Sequence, residues 1–410
     1  MEVLHPRCAG LDVHKDLIVA CRRRIANGKI ESEVQSFDAT TRGLTELATW
    51  LGEFEIVEVV MESTGVYWIP VWNVLEEQGF TLTLVNPQHI KNVPGRKSDV
   101  KDAEWLAKIL AHGLVRASFI PPAPQRELRD LVRTLRHFIE DSGQQVQRMQ
   151  KVLQSCNIKL DSVLADITGA SGVAIIEALI AGESDPNKLA GLVHRNVKAP
   201  KKTLVEALQG RVNVHSRFLL KLHLDTFRDL QAKIERIEAQ IDEALRPFDQ
   251  ALALLSTIPG VGPGLARTII AEVGVDMSRF PTAGHLVSWA GLCPRLDESA
   301  GKVRSRLVRK GNKHLKTALC QGVVAGLRCR KKNYLQAQFH RLKARRGGGK
   351  AIIAVAATIL SSVHAMLTSA QPFRDLGNQY FLKRDQQKVV ARLARQAREL
   401  GYELQPCEAA

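Results

Sequence analysis

Cysteine is scarce in this chain, and its spacing argues against two classes of site. The seven cysteines among 410 residues are scattered, and none of them forms a Cys-x-x-Cys pair. A zinc site or a disulfide framework is typically built from closely and regularly spaced cysteines. Scattered thiols are typical of a protein kept reduced in a cytosol, so we expect neither a structural zinc ion nor disulfide bonds.

Long hydrophobic runs are also few. The N-terminus has no apolar core of the kind that a signal peptide needs. The run from Ala351 to Leu367 contains Ser361, Ser362 and His364, and it is too short to cross a bilayer comfortably. We therefore expect no membrane association and interpret this run as a buried core helix.

Acidic residues are nearly absent from residues 295–350, which carry 17 Lys or Arg against 2 Asp or Glu. Nearly all of the net charge of +16 therefore lies in this one stretch. A concentrated excess of cations is typical of a surface that binds a phosphate backbone. A solvated protein face does not need so strong an imbalance, so we expect a nucleic acid as the partner.

Hydrophobic periodicity predicts an α/β domain over residues 1–120. Short strands are predicted over 8–13, 17–23 and 30–36, and Asn27-Gly28 is a typical hairpin turn between the last two. Further strands are predicted over 56–61 and 81–85, and helices over 41–52, 66–78 and 99–112. The resulting order, β-β-β-α-β-α-β-α, indicates a layered domain with a mixed sheet.

Helices dominate the rest of the chain. Long helices are predicted over 126–155 and 217–246, and only short helical pieces over 160–215. Apolar residues of the second long helix alternate steps of three and four, the spacing of a coiled coil. The same spacing would arise from two antiparallel helices paired within one chain, and both arrangements hold if such a hairpin also dimerises. The residues that carry this spacing are Phe227, Leu230, Ile234, Ile237, Ile241 and Ala244.

These patterns predict three regions after the α/β domain. Residues 121–250 form a helical, coiled-coil region with an insert at about 160–215. Residues 251–375 form a mainly α-helical domain, and residues 376–410 form a basic helical tail.

A glycine-rich turn lies between two predicted helices near residue 260. Its sequence, IPGVGPGL from Ile258 to Leu265, resembles the hairpin of a helix-hairpin-helix motif. Gly260, Gly262 and Gly264 would let backbone N–H groups approach a phosphate at a helix N-terminus. An ordinary glycine-rich connection between helices has the same sequence, but the adjoining basic stretch favours phosphate binding.

Four acidic residues occupy positions where a carboxylate needs an explanation. Asp12 lies within an apolar strand, Glu62 ends a buried strand, and Asp99 and Asp102 share one face at the start of a helix. Individually they have ordinary interpretations, as turn residues or helix caps. Together they match a two-metal nuclease, because four carboxylates in one cleft need divalent cations to remain ionised. Mg²⁺, or Mn²⁺, would bind such oxygens and stabilise the attacking and leaving oxygens of a phosphodiester.

This acid placement and the order of strands and helices resemble ribonuclease-H-like, RuvC-type nucleases. The full set of motifs resembles the DEDD transposases of bacterial insertion sequences known as the one-hundred-ten family, which are bridge-RNA-guided recombinases. The resemblance covers residues 1–155 and 220–375. The matching stretches are GLDVHK at 10–15, MESTGVYW at 61–68, NPQHIK at 86–91, KSDVKDAEWLA at 97–107, IPGVGPGLA at 258–266, FPTAGHLVSWAGLCPR at 280–295 and RKGNKHLKTAL at 309–319.

The resemblance implies a cofactor and partners. It implies that Asp12, Glu62, Asp99 and Asp102 of a RuvC-like domain hold Mg²⁺ or Mn²⁺. It also implies that a structured guide RNA pairs with donor and target DNA, so that base pairing supplies the specificity. The protein would act as a homo-oligomer, a dimer or tetramer, in the bacterial cytoplasm. The RuvC-like and C-terminal domains would meet in a composite site, often across protomers.

The resemblance further implies a serine nucleophile, which in this family follows a glutamate shortly after an AGL-P block. Here Glu298 and Ser299 follow AGLCP at 290–294, so Ser299 is the expected nucleophile. Family members often have glycine directly after this serine, whereas Ala300 stands here, so Ser305 is the second choice. Cations that would hold the DNA backbone and offset charge on the reacting phosphate follow at Lys302, Arg304, Arg306, Arg309, Lys310, Lys313 and Lys316.

We therefore expect a transposase that cuts and rejoins DNA strands through a phosphoserine intermediate. The alternatives are a RuvC-like structure-specific endonuclease that uses water, and a site-specific DNA invertase that uses the same residues without a guide RNA. A nucleic-acid-binding protein with an inactive site is the alternative from outside the enzymes.

Overall fold

The computed structural model describes residues 3–26, 29–62, 65–86, 99–294, 297–299, 302–305, 307–384, 386–403 and 405. The chain divides into two compact units, Met1–Ile120 and Pro121–Ala410. The region boundaries at residues 250 and 375 stay predictions. The predicted turn Asn27-Gly28 lies outside the described residues.

The N-terminal unit is built on a mixed sheet, as the sequence predicts. In the part of the chain that the structure describes, the strand order is β3-β2-β1-β4-β5. β1 pairs antiparallel with β2, and β2 with β3, whereas β1, β4 and β5 run parallel. The predicted order of elements is confirmed. The elements are β1 (Arg7–Val13), β2 (Leu17–Ala26), β3 (Lys29–Asp38), α1 (Thr41–Glu53), β4 (Glu58–Glu62), α2 (Trp68–Glu77), β5 (Thr81–Val85) and α3 (Asp99–Ala111).

Helices cover both faces of this sheet. Successive residues of a strand point to opposite faces, so β1 and β4 contribute to two separate cores. Leu11 and Met61 pack in the core under α1 and α2, and both are fully buried. Val60, on the opposite face, packs in a second core with Leu106 of α3.

The second face is covered by α3, which runs antiparallel to β1. The backbone N–H of Leu4, just before β1, donates a hydrogen bond to the carbonyl oxygen of Ala111 at 2.9 Å. Further along β1, Gly10 lies against Ala103, so close that a Cβ atom on Gly10 would lie 2.3 Å from the Ala103 carbonyl oxygen. The carboxyl end of β1 therefore lies near the N-terminal turn of α3.

The C-terminal unit is mainly helical. Two long helices enclose four short ones, which confirms the predicted short helical pieces. These six are α4 (Ala123–Ser155), α5 (Leu160–Val163), α6 (Ala170–Ala181), α7 (Pro186–Gly191), α8 (Lys201–Ala207) and α9 (Val214–Leu245). The remaining elements are α10 (Asp249–Leu255), α11 (Pro263–Val273), α12 (Ala283–Trp289), β6 (Asp297–Ser299), β7 (Lys302–Ser305), α13 (Lys313–Leu327), α14 (Tyr334–Arg346), α15 (Gly348–Ser369), α16 (Tyr380–Arg384) and α17 (Gln386–Glu399).

The helices α4 and α9 pair antiparallel within the chain. The His223 ring nitrogen Nδ1 lies 3.0 Å from Gln145 Oε1, and the Gln231 side-chain amide donates to Ser142 Oγ at 2.9 Å. Later residues of α9 thus face earlier residues of α4. Intramolecular pairing accounts for the three-four spacing of α9, and dimerisation through this hairpin stays a prediction.

The apolar run at residues 351–367 is helix α15, and it is a core helix as predicted. Val355, Ile359 and Val363 are almost completely buried, and α15 packs against α12, α13 and α14. Among the described residues this is the one helix that is also long and apolar enough to cross a membrane.

The contact between Gly10 and α3 predicts a sharp difference between two glycine substitutions. A Cβ atom on Gly10 would also lie 2.4 Å from the Ala107 nitrogen, so Gly10→Ala must displace backbone. We expect Gly10→Ala to lower the free energy of unfolding by roughly 1–3 kcal/mol. Urea denaturation followed by tryptophan fluorescence measures this change.

The control is Gly52→Ala in α1, where a Cβ atom would meet nothing within 4 Å. That variant should unfold at the same urea concentration as the parent or slightly above it, because alanine favours helix by up to about 1 kcal/mol. A Gly10→Ala protein as stable as the parent would contradict the described packing of α3.

Candidate active site

The carboxyl ends of β1 and β4 set two acidic residues side by side. The strands pair in parallel with Leu11 opposite Met61, and Asp12 and Glu62 are the next residue along each strand. Gly10 and Val60 precede them by two residues and lie on the α3 face, so both acids belong to that face. Ligand sites of α/β sheets lie beyond the carboxyl ends of the parallel strands. The register therefore brings Asp12 and Glu62 together where a ligand would bind.

Helix α3, which contains the other two predicted acids, covers the same face. It begins at Asp99, and its first turn lies toward the carboxyl end of β1 because the helix runs antiparallel to that strand. Asp102 is half-buried and directly precedes Ala103, the residue that contacts Gly10. The side chain of Asp99 lies outside the described part of the structure.

The donor set of this region is made of carboxylate oxygens, which Mg²⁺ and Mn²⁺ prefer. The Asp12 side chain is only 15% exposed, and a carboxylate in such a place is costly without a cation or hydrogen bonds. Among the side chains that the structure describes, no group of three or more His, Cys, Asp or Glu converges on one point. The four-acid site therefore stays a prediction, and the fit of the residues to a cation rests on donor type and strand register.

His14 contacts one of the predicted acids, a contact that the sequence analysis missed. Its Nε2 atom lies 3.1 Å from Asp12 Oδ2, and its side chain is 54% exposed. His14 directly follows the end of β1, and the contact shows that its side chain lies on the same side as that of Asp12. The Asp-x-His spacing within GLDVHK is the sequence feature that could have predicted the contact between Asp12 and His14.

Ser299 ends the first strand of a short β-hairpin. β6 and β7 pair antiparallel, with Ser299 opposite Lys302 and Asp297 opposite Ser305. The Ser299 side chain and the connecting residues 300 and 301 lie outside the described part. The hairpin was not predicted, although a two-residue connection that contains glycine is a typical hairpin signal.

Close backbone contact holds the base of this hairpin. Pro294 forms a bridge with Val308, which extends the antiparallel pairing beyond the two strands. A Cβ atom on Gly311 would lie 2.4 Å from the nitrogen of Gly291, and Gly291 has a φ of +71°. Only glycine allows so close a contact, so the hairpin is anchored between α12 and α13.

Ser305, the second choice for the nucleophile, has a structural partner. Its Oγ atom accepts a hydrogen bond from the backbone N–H of Leu307 at 3.3 Å, and the residue is half-buried. This bond closes a local turn at the end of β7, which is an ordinary role for a serine hydroxyl.

The predicted DNA-binding cations cluster after the hairpin. Arg309, Lys310 and Lys313 are exposed, and Lys316 is half-exposed. Lys313 and Lys316 lie in the first turns of α13, where the helix dipole disfavours positive charge. Their position does not stabilise this helix, which leaves them available for an anion. Arg306 and the side chains of Lys302 and Arg304 lie outside the described residues.

The glycines of the turn between α10 and α11 differ in their surroundings. A Cβ atom on Gly260 would lie 2.4 Å from the Gly322 carbonyl oxygen, and Gly260 has a φ of +89°. Gly260 is therefore needed to pack the turn on α13. Gly262 is the N-cap of α11, and both Gly262 and Gly264 face open space. Phosphate binding by this turn stays a prediction, as does its helix-hairpin-helix character.

A buried ion-pair network joins α4 to the base of the hairpin. Glu272 of α11 is completely buried, and Arg133 of α4 donates two hydrogen bonds to its carboxylate, each 2.8 Å long. Arg129 lies 3.3 Å from the same carboxylate. Asn312 donates a third hydrogen bond at 2.6 Å and also caps α13 by accepting from the Leu315 N–H at 2.9 Å.

The network sets the charge state of its members. Burial raises the pKa of Glu272, but the hydrogen bonds from Arg133 and Asn312 and the charges of both arginines outweigh it, so the pKa lies below its usual range. Burial lowers the pKa of Arg129 from its usual value. Glu272 therefore stays ionised and holds the N-cap of α13 in place.

This network predicts a large loss of stability on Glu272→Ala. The substitution leaves Arg129 and Arg133 without their carboxylate, and breaking a buried pair costs roughly 3–5 kcal/mol. Urea unfolding at neutral pH measures the difference from the parent. The control is Glu140→Ala, which removes an exposed partner of Arg136 on the same helix α4 and should change the midpoint little.

The difference in the free energy of unfolding between the parent and Glu272→Ala also depends on pH. Because the pKa of Glu272 is lower in the folded than in the unfolded chain, its stabilisation is complete above the unfolded pKa. It is lost as the pH falls through the folded pKa. The parent and Glu272→Ala should thus converge in acid, and a constant difference down to low pH would contradict this account.

Two family models match the chain in the regions that carry these features. A model of DEDD transposases of the IS110 type, described as a transposase, matches residues 9–158, which include all four acids. A second model, described as a transposase of the IS116/IS110/IS902 family, matches residues 252–340. The second region includes the glycine-rich turn, the hairpin with Ser299 and the cations that follow it.

Individual relatives agree with these matches. A Sinorhizobium fredii protein named as the transposase y4pF/y4sB is 24% identical over 311 residues, which cover 74% of this chain and 71% of the relative. An uncharacterized 43.6 kDa protein of the insertion element IS110 in Streptomyces coelicolor is 38% identical over 84 residues, 20% of each chain. A pilin gene-inverting protein of Moraxella bovis is 32% identical over 100 residues, 23% of this chain and 31% of the relative. The chain therefore belongs to the IS110 family of DEDD transposases, the one-hundred-ten family that its motifs resemble, and it is a DNA transposase.

Proposed function

We propose that this transposase cuts and rejoins DNA through a covalent phosphoserine formed at Ser299, with a divalent cation held by Asp12, Glu62, Asp99 and Asp102. The observation that carries the proposal is the parallel register of β1 and β4. That register sets Asp12 beside Glu62 on the face that α3 covers, and α3 carries the other two acids.

The acids have a defined task in this proposal. When bound, Mg²⁺ or Mn²⁺ would polarise the phosphodiester and stabilise the charge that develops on its oxygens. Asp12 and Glu62 would hold the cation from the strand ends, and Asp99 and Asp102 from α3. His14, which lies 3.1 Å from Asp12, would orient that carboxylate through a hydrogen bond.

Ser299 would act by nucleophilic displacement at phosphorus. Its Oγ atom forms a bond to phosphorus as the bond from phosphorus to one deoxyribose oxygen breaks. The serine proton passes to solvent, and the leaving oxygen takes up a proton to become a deoxyribose hydroxyl. Rejoining reverses these steps, because the hydroxyl of another strand attacks the phosphoserine and releases Ser299.

Two observations support Ser299 over Ser305. Ser299 adjoins the tip of the hairpin, three residues before Lys302, whereas Ser305 lies at its base and bonds to Leu307. The anchoring of the base by Gly291 and Gly311 would keep the hairpin in a fixed orientation. The exposed cations Arg309 and Lys310 would balance the negative charge of the pentacoordinate phosphorus.

We further propose that donor and target DNA are selected by a structured guide RNA, and that the enzyme acts as a dimer or tetramer. The motif resemblance and the charge distribution support this proposal. The cations concentrated in residues 295–350 suit contacts to any phosphate backbone, and base pairing would then supply the sequence specificity.

Site-specific DNA inversion is a second candidate function. The relatives named as pilin gene-inverting proteins favour it, since the proteins of Moraxella bovis and Moraxella lacunata are each 32% identical to this chain over 100 residues. Inversion uses the same bond exchanges as transposition and differs in which ends are joined. Sequencing the joined products distinguishes the two outcomes.

The proposed chemistry predicts which variants form a protein–DNA adduct. The full-length protein, incubated with its element DNA, flanking RNA and Mg²⁺, should form an adduct that survives a denaturing gel. Ser299→Ala should form none, whereas Ser305→Ala should form it at the level of the parent. Asp12→Asn should lower strand cleavage more than about 100-fold, because it removes a ligand of the cation.

Several results would overturn this assignment. An adduct with Ser299→Ala would exclude Ser299 as the nucleophile. Cleavage by the parent without any adduct would favour a RuvC-like endonuclease that uses water. Full activity of Asp12→Asn would exclude the proposed acid site.

The proposed cation surface predicts a salt-dependent loss of DNA affinity. Lys313→Ala should weaken binding equally for all sequences and reduce the slope of log affinity against log salt by about 1, because one phosphate contact is lost. Fluorescence anisotropy over a range of KCl concentrations measures the slope.

The control is Lys221→Ala on α9, where the lysine pairs with Asp225 at 3.2 Å. Its slope should equal that of the parent. Equal slopes for both variants would exclude Lys313 as a phosphate contact.

A further inference from the structure

An exposed apolar patch begins four residues after Glu62, the acid at the end of β4. Val66 is 65% exposed, Tyr67 40% and Ile69 38%. We name these three residues the apolar patch. Apolar side chains this exposed are ordinary when single, but three within four consecutive residues are a candidate binding surface.

The exposure does not come from a loosely held segment. Trp68, which lies between Tyr67 and Ile69, packs edge-to-face on Trp72 with 5.9 Å between the ring centroids. Trp68 also contacts the core under α1 and α2, and Val71 and Trp72 are buried. The backbone that carries the apolar patch is therefore anchored, and the patch faces solvent as part of a fixed surface.

The patch lies at the edge of the sheet where the acids lie. Glu62 is the last residue of β4, Val66 and Tyr67 directly precede α2, and Ile69 lies in the first turn of α2. Val57, also exposed at 53%, precedes the other end of β4. Val57 is thus an exposed apolar residue of the same unit that lies near the amino end of β4 and can serve as a control.

The sequence around the patch contains no cations. No Lys or Arg occurs between Arg42 and Lys91. A phosphate backbone therefore finds no charged partner in this segment, whereas the apolar face of a nucleobase needs none. Proteins that act on DNA commonly stack unpaired bases on aromatic side chains or insert apolar side chains between base steps.

We propose that the apolar patch binds an unpaired nucleobase of the DNA strand next to the phosphodiester held at the acid site. The proposal rests on the proposed function and adds a contact to it. Tyr67 supplies an aromatic face for stacking, and Val66 and Ile69 provide apolar contacts beside it. The bases of an intact duplex are stacked on one another, so the patch selects DNA that is locally opened.

The test compares two DNA duplexes of equal length, one fully paired and one with a short unpaired bubble that contains 2-aminopurine. Binding of the full-length protein is measured by anisotropy in EDTA, so that no strand is cut. The parent should favour the bubble and quench the 2-aminopurine fluorescence. Tyr67→Ser should lower this preference roughly ten-fold and leave duplex affinity unchanged, because only the stacking contact is lost.

Two control variants separate stacking from general damage. Tyr67→Trp keeps an aromatic face and should retain both the preference and the quenching. Val57→Ser changes an apolar residue that is also exposed, at the other end of β4, and should behave like the parent. A Tyr67→Ser protein that loses duplex and bubble affinity equally would overturn the proposal.

Three further outcomes test whether the apolar patch binds a nucleobase. If the parent binds bubble and duplex with equal affinity, the proposal is wrong. If Tyr67→Ser changes the oligomeric mass in sedimentation but not the quenching, the patch is a contact between protein chains and the proposal is wrong. Because binding is measured without metal, bubble preference in Asp12→Asn and Ser299→Ala would support stacking even if the phosphoserine chemistry failed its own test.

Discussion

The parallel pairing of β1 with β4 is the interaction on which the candidate acid site depends. Asp12 and Glu62 are fifty residues apart in sequence, and the hydrogen-bond register alone makes them neighbours. Side chains alternate along a strand, so a slip of one residue would turn Glu62 into the core under α1 and α2. The apolar residues Leu11 and Met61 oppose such a slip, because it would expose them on the other face. The same burial that stabilises the sheet thus fixes the position of its two carboxylates.

Helix α3 depends on a second constraint, the absence of a side chain at Gly10. The backbone of α3 approaches β1 so closely that even one methyl group would displace it. This approach carries the turn with Asp99 and Asp102 to the face that already holds Asp12. In the C-terminal unit, Gly291 and Gly311 make a comparable contact at the base of the hairpin, and Glu272 ties the neighbouring helix cap to α4. In both units, glycine contacts and a buried core fix the backbone that carries the proposed site residues.

Positive charge is distributed very unevenly along this chain. Residues 295–350 are strongly cationic, whereas residues 43–90 contain no Lys or Arg. The first stretch suits contacts to phosphate, and the second contains Glu62 and the apolar patch. A protein that exchanges DNA strands must both hold the backbone and separate the bases, and these requirements call for different side chains.

Much of this protein was readable from its sequence. The order of strands and helices, the core helix α15, the short helices after residue 160 and the family followed from periodicity and motifs, because those signals are local. The basic stretch was also readable from residue types, and the four acids were predicted as a site from residue types and spacing. Ser299 was predicted only from the resemblance to the family. The sequence could not choose between intramolecular pairing and dimerisation for α9, since both bury the same apolar stripe. It did not indicate the exposure of Val66 and Tyr67, the contact of Gly260 with α13, or the joining of Glu272 to Arg133 and Asn312. Those facts depend on which distant segments meet, and only the tertiary structure decides that, because burial and close contact are properties of the folded chain.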